Sequence, residues 1–251
     1  MSELLSGGKA LLAAVAAGAA LIGAGAVALA NRFTVESPVG AGRAGIEQVV
    51  HEYVLAHPEI IPEAMDLMRD RDTGRIIAGS RDAILKPYGS AWAGNPNGDV
   101  TLVEYFDYNC GFCRSSLPTI TRLIASDPKI RVIFRELPIL SEESRTAARL
   151  SLVAAEQGKF QPFHEAVYAG GPISAQSLAR ALKLAGLDPV ASTAAAANPR
   201  IEAEIQSNLM IAQKLGMSGT PSWVIGDHVV SSALPLEDLQ AAVAKVRAKR
   251  R

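Results

Sequence analysis

Cysteine is scarce in this chain: 251 residues contain two, Cys110 and Cys113. That excludes a framework of several structural bridges, and a tetrahedral zinc site built on cysteine lacks its other ligands. Charge imbalance is absent as well. Twenty-five acidic and twenty-five basic side chains give a formal net charge of zero, so no broad electrostatic attraction to nucleic acid is implied. There is no internal repeat, no glycine-rich phosphate loop and no Ser-His-Asp motif order. Only four histidines occur, and His51 and His57 are six residues apart, a spacing that does not share a helical face. Of the chemistry two cysteines can support, redox exchange or a pair of inert thiols remains.

The two cysteines stand as Cys110-Gly111-Phe112-Cys113. Before them runs the apolar stretch Val100 to Phe106, which reads as a buried strand. After them comes Arg114 to Ala125, with Leu117, Ile120, Leu123 and Ile124 at helical spacing. A C-x-x-C at a strand-to-helix junction puts the first sulfur at a helix N-terminus, where free N–H groups and the helix dipole favour a thiolate. Cys110 is therefore the expected nucleophile. Cys113, one turn further on, is the expected resolving thiol, able to displace a partner bound to Cys110. A short surface disulfide without chemistry fits the same four residues, so their neighbours matter.

Three neighbours bear on the choice. Glu104 shares strand parity with Val100, Leu102 and Phe106, which puts a carboxyl group on an apolar face. Buried there, it would have a raised pKa and could exchange a proton with Cys113; a sheet-edge glutamate paired with a cation is the alternative. Pro118 falls inside the predicted helix and should kink it. Far along the chain, Gly219-Thr220-Pro221 opens the strand-like Ser222-Trp223-Val224-Ile225. A proline in that position is a candidate for a cis bond, with an ordinary trans bond as the commoner case.

These residues carry a resemblance. Strand, C-x-x-C, helix, a second strand at Lys129 to Arg135, then Gly219-Thr220-Pro221, a hairpin and a last helix resemble the thioredoxin fold. The run Val103 to Cys113, with Phe134 to Ile139 and Gly219 to Asp227, is similar to the DsbA family of bacterial envelope thiol-disulfide oxidoreductases, nearest to its ScsC and Com-type branch. The resemblance implies an α/β thioredoxin-like domain over about 94–251 with a helical insertion at about 141–217. It implies catalytic Cys110, Cys113, Glu104 and Pro221, with Pro221 cis and facing the sulfurs. Thr220, Gly111 and Phe112 would contact substrate, Thr220 by offering its backbone to an extended strand. No cofactor or metal is implied beyond the Cys110-Cys113 pair itself. Gly111-Phe112 replaces the Pro-His of the archetypal oxidase, so redox poise does not carry over.

From the start, Lys9 precedes a run from Ala10 to Ala30 with no charged or polar side chain. Twenty-one residues of helix span roughly 30 Å, the thickness of a bilayer core. Residues 1–30 thus read as a signal-anchor, with cleavage after Ala28-Leu29-Ala30 as the other reading; either sends the remainder to the periplasmic face of a bacterial envelope. Residues 31–45 read as a flexible tether. Residues 46–84 read as a helical extension. Ile46, Val49, Val50, Tyr53 and Val54 line one helix, His57-Pro58 breaks it, and a second helix spans about Pro58 to Met68 before Asp70 to Asp72 and Gly74 weaken the pattern. In ScsC-like proteins such an extension mediates oligomer formation, so a homo-oligomer through 46–84 is one expectation; packing back on the domain is another.

In the insertion, Ser141 is an expected N-cap, and breaks fall at Gly158, Gly170 to Pro172, Gly186 to Pro189 and Asn198-Pro199. His164 is expected on a helix surface, with packing under the active site as the other reading; Trp223 is expected in the core, and Asp227-His228 in a hairpin turn. The basic end, Lys245 to Arg251, reads as a solvated helix terminus. The expected protein is a periplasmic thiol-disulfide oxidoreductase acting on unfolded or misbridged exported proteins. Net disulfide formation is the main reading, with an oligomeric isomerase or reductase, or a non-catalytic polypeptide binder, as alternatives. A DsbB-like or DsbD-like membrane protein would recharge it; no nucleic acid partner is expected.

Overall fold

The computed structural model describes residues 42–249. The apolar run 10–30 and the tether up to residue 41, with the signal-anchor reading placed there, lie outside the described residues. Two compact units meet between Glu63 and Ala64. In the first, helix α1 (Arg43–Ala56) starts three residues before the expected Ile46. It buries no side chain, and Ile46, Val49, Val50, Tyr53 and Leu55 are each more than half exposed. Its turns are tied by Arg43 to Glu47 at 2.8 Å and Gln48 to Glu52 at 2.9 Å. The His57 N–H caps it on the Tyr53 carbonyl, and Pro58 prevents continuation.

Helix α2 (Ile60–Gly79) corrects one expectation, because it runs unbroken through Asp70, Asp72 and Gly74. The aspartates sit one turn from arginines: Asp66 accepts from Arg69 at 2.9 Å, and Asp72 pairs with Arg75. Tertiary bonds hold the rest: Thr73 Oγ1 donates to the Asp227 carbonyl at 2.6 Å, and Asp70 lies 2.7 Å from His228 Nδ1. Short helix α3 (Arg81–Leu85) then buries Ile84 completely.

The second unit is built on a five-stranded sheet of order β1-β3-β2-β4-β5. Its strands are β1 (Trp92–Gly94), β2 (Val100–Phe106), β3 (Ile130–Glu136), β4 (Ser222–Ile225) and β5 (His228–Val230). Central β2 pairs parallel with β3 and antiparallel with β4. Strand β1 is a three-residue edge, too short for the alternation that marks longer strands. The turn between β4 and β5 is Gly226-Asp227, with His228 already in the strand. Gly226 has φ +64°, and a Cβ there would lie 2.7 Å from Val246 Cγ2.

Alternation divides the sheet into two faces. Val100, Leu102, Phe106, Val132, Phe134, Trp223 and Ile225 pack with helix α4 (Gly111–Ser126) and with Leu239 and Val243 of α10 (Leu236–Lys249). Val103, Tyr105, Ile133 and Val224 pack with Ile77, Ile84 and Leu215 on the other side. Between β3 and β4 lie five helices: α5 (Glu142–Glu156), α6 (Phe160–Ala169), α7 (Ala175–Leu184), α8 (Pro189–Ala196) and α9 (Pro199–Lys214). Four of them start at capping residues in the sequence, and α6 starts after Lys159 without a side-chain cap. Ser141 accepts from Ser144 N, Ser174 forms a capping box with Ser177, and Asp188 and Asn198 each precede a proline in the first turn. The C-terminal helix is clipped, where a solvated end was expected. Arg247 reaches Asp99 at 2.7 Å and Asp127 at 2.5 Å, and its guanidinium holds both carboxyls below the usual range.

Candidate active site

Strand β2 delivers the chain to the site and α4 carries it away. Cys110 is the N-cap of α4: its Sγ accepts the Cys113 N–H at 3.4 Å, and its own carbonyl accepts the Arg114 N–H. From the opposite side, β4 brings the Thr220 carbonyl, which accepts the Cys110 thiol hydrogen at 3.1 Å. The Thr220-Pro221 bond is cis. Both thiols are free, Cys110 at 7 % exposure and Cys113 at 2 %. Helix α4 continues through Pro118 to Ser126. Phe112 projects outward with 69 % of its surface exposed, and Gly111 has open space where a Cβ would stand.

Glu104 lies on the α4 side of the sheet, directly across from Trp223 on β4. It is buried, and among the described residues its Oε1 has no hydrogen-bond partner. Burial, reinforced by the Cys110 sulfur, pushes its carboxyl up to about 8. Burial likewise drives the Cys113 thiol far above the ordinary range, and Glu104 adds to the rise. Two acids that each resist ionisation next to the other suit a proton passing between them, since only one negative charge is tolerated there.

Beneath the cysteines lies a cluster that the sequence did not signal. The Tyr108 hydroxyl bonds Ser151 Oγ at 2.9 Å and His164 Nδ1 at 3.0 Å. His164, expected on a helix surface, is instead buried at 1 % exposure. It stacks on Phe160 and meets Phe106 edge-on, so burial holds it neutral with a pKa lowered to about 3. Helix α6 turns this face inward because Phe160, Phe163 and Val167 share it. Glu136, also buried on this side, is pushed well above the carboxyl range by desolvation. The Tyr168 hydroxyl donates to the Asp107 carbonyl at 3.1 Å.

Asp107 is the other unanticipated residue, although an aspartate two residues ahead of Asn109 is an Asx-turn signal. Its Oδ1 accepts from Asn109 N at 2.8 Å and Ser144 Oγ at 2.6 Å; its Oδ2 accepts from Ile139 N at 2.9 Å and Leu140 N at 3.0 Å. Its backbone carbonyl accepts the Cys110 N–H at 3.0 Å.

Among the described residues no group of three His, Cys, Asp or Glu side chains is placed to hold a metal. A groove of about 870 Å³ lined by Leu67, Asp70, Arg71, Asp227 and Lys249 contains neither cysteine.

The family model described as the DSBA-like thioredoxin domain matches residues 101–244, and that of the copper resistance protein ScsC N-terminal domain matches 43–73. A thioredoxin-like oxidoreductase of Silicibacter pomeroyi is 38 % identical, with a TM-score of 0.64 over 67 % of this chain and 98 % of that one. The thiol-disulfide exchange protein alpha-DsbA2 of Wolbachia pipientis is 30 % identical, with a TM-score of 0.64 over 71 % and 98 %. The catalytic domain of Proteus mirabilis ScsC is 25 % identical, with a TM-score of 0.63 over 70 % and 98 %. A curated relative, the Na(+)/H(+) antiporter NhaA 3 of Salinispora tropica, is 28 % identical over 147 residues, and the match spans 22 % of the antiporter's length. With a family match over more than half its length and a cysteine pair at the end of β2, the chain belongs to the DSBA-like thioredoxin family and is a thiol-disulfide oxidoreductase.

Proposed function

We propose that this oxidoreductase introduces disulfides into exported proteins at the periplasmic face of a bacterial envelope, through Cys110 and Cys113. The observation that carries the reading is the position of Cys110 Sγ, held between the Cys113 N–H at 3.4 Å and the Thr220 carbonyl at 3.1 Å, with Cys113 behind it and Glu104 beside both sulfurs. In the oxidising direction a substrate thiolate attacks Cys110 Sγ of the Cys110-Cys113 disulfide. The S–S bond breaks, Cys113 leaves as a thiolate, and Glu104 gives it a proton. A second substrate thiolate then attacks the substrate sulfur of the mixed disulfide and displaces Cys110. Two electrons move from the substrate dithiol to the cysteine pair, and a membrane partner of the DsbB type removes them; a DsbD-type partner would supply electrons in the reducing direction instead. No cofactor enters these steps. Pro221 shapes the turn opposite the sulfurs, Thr220 offers its backbone to an extended substrate, and Gly111 and Phe112 leave the approach open on one side and apolar on the other.

A second reading, an oligomeric isomerase or reductase assembled through residues 46–84, is supported by the exposed apolar side chains of α1 and by the ScsC N-terminal match. Refolding of reduced and of scrambled ribonuclease, alongside mass by light scattering, separates the two. Net oxidation requires activity on the reduced substrate; a multimer active only on the scrambled one selects the second reading. Cys110→Ser removes both activities, and a variant that kept them would reduce the protein to a polypeptide binder.

A further inference from the structure

Three residues ahead of the nucleophile stands an acid, Asp107, with only 1 % of its surface exposed. Burying a carboxyl group is costly unless hydrogen bonds replace the water it loses. Four do so here, all from uncharged donors and from three segments of the chain. Asn109 N comes from the turn itself, Ile139 N and Leu140 N from the loop after β3, and Ser144 Oγ from α5. Both carboxyl oxygens are therefore fixed, and the backbone of Asp107 with them. That backbone serves both cysteines. Its carbonyl accepts the Cys110 N–H at 3.0 Å and the Tyr168 hydroxyl at 3.1 Å. Its N–H meets the other sulfur: burial and Glu104 push the Cys113 thiol up, and a hydrogen bond from the Asp107 backbone opposes them.

We propose that Asp107 is a positioning residue of the exchange reaction: its anchored carboxyl group holds its own N–H against Cys113, to stabilise the thiolate that leaves, and its carbonyl against the Cys110 backbone. When a substrate thiolate attacks Cys110 Sγ, a new S–S bond forms, the Cys110-Cys113 bond breaks, and the electron pair goes to Cys113. Negative charge then develops on a buried sulfur, where a donor already in place is worth far more than one in water. Glu104 supplies the proton afterwards. The anchorage matters because a misplacement of about 1 Å in such a group costs about a hundredfold in rate. A role through charge alone has the opposite sign, since a carboxylate near two sulfurs disfavours their thiolates.

The inference rests on exchange through Cys110, and the test keeps the two apart. The oxidised full chain is mixed with reduced glutathione and, separately, with a decapeptide dithiol, and single-turnover rates are followed against concentration. Asp107→Asn keeps the side-chain size but turns an amide N–H toward one of the four donors. In the folded variant, the glutathione rate and the limiting peptide rate should both fall about a hundredfold, with the half-saturating peptide concentration unchanged. Ser144→Ala removes one donor and should slow both about fivefold; the double variant should be no slower than Asp107→Asn, because the two act as one unit. Leu150→Ala, a core truncation in α5, should lower the melting temperature and keep the limiting rate, as a purely structural effect would. An equal or faster rate in folded Asp107→Asn overturns the positioning role, as does a loss carried only by weaker peptide binding. If Asp107→Asn does not fold, an unchanged rate in Ser144→Ala overturns it alone. Absence of exchange in the wild type sinks the Cys110 reading, and the inference with it.

Discussion

The two faces of the central sheet bury polar groups in opposite ways. On the face away from α4, Arg135 is 3 % exposed at its side chain and paired through both terminal nitrogens: it meets Glu204 at 2.5 Å and donates to the carbonyls of Ile84 and Lys86. On the face under α4, Glu104 and Glu136 are buried and, among the described residues, form no ion pair; burial raises both carboxyls, lowers His164 and raises the Cys113 thiol. A matched charge stabilises a fold by staying charged, whereas an unmatched acid near neutrality can gain or lose a proton. The same sheet therefore serves as a structural clamp on one side and as a protonic environment on the other.

Breaking the clamp should have the largest effect. Arg135→Ala leaves Glu204 and two carbonyls without their partner and should cost about 3–5 kcal/mol, read as a lower denaturant midpoint. The pH profile of exchange in the surviving folded protein should be that of the wild type. Loss of the profile would mean that the two faces are not independent.

On the reactive face the sign reverses. A carboxyl raised to about 8 stays protonated in the reduced folded protein but is ionised in the unfolded chain above its ordinary value of 4.5. Protons are then bound more tightly by the native state, so stability falls as pH rises from 4.5 to 8. Glu104→Gln should remove that decline and stabilise the reduced protein by up to about 4 kcal/mol at the upper end, while flattening the pH dependence of exchange. Denaturant titrations at the two ends of the window check it. His164 works from the acid side. Neutral down to about 3 in the fold against an ordinary value of 6.5, it makes the native state lose stability as pH falls through that interval. His164→Phe should reduce this acid loss by up to about 4 kcal/mol, measured as melting temperature between those limits. Smallest is Ser174→Ala at the α7 capping box, remote from both faces, which should cost about 1 kcal/mol and leave every pH profile intact.

Much of the architecture was legible in the chain because the signals are local. The bounds of β2, the Ser141 cap, and the helix breaks at Gly158, Gly170-Gly171, Asp188-Pro189 and Asn198-Pro199 each depend on a few adjacent residues. Where a long-range contact decided the outcome, sequence pattern was a poorer guide. Helix α2 outlasts its two aspartates and Gly74 because Thr73 and Asp70 bond to the β4-β5 hairpin, more than 150 residues away. Among polar residues of α6, only the packing of Phe106, Phe160 and Tyr108 singles out His164 as buried.

By itself the sequence determined the chemistry: two cysteines spaced one helical turn apart after an apolar strand, since a helix N-terminus and its dipole follow from local backbone geometry. Tertiary structure alone decided the surroundings of that chemistry. It brought the Thr220 carbonyl to Cys110, left Glu104 Oε1 buried with no hydrogen-bond partner among the described residues, and tied Ile139 and Leu140 to Asp107. Such arrangements depend on which distant segments exclude water together, and desolvation is a property of the packed ensemble and of no single stretch of chain.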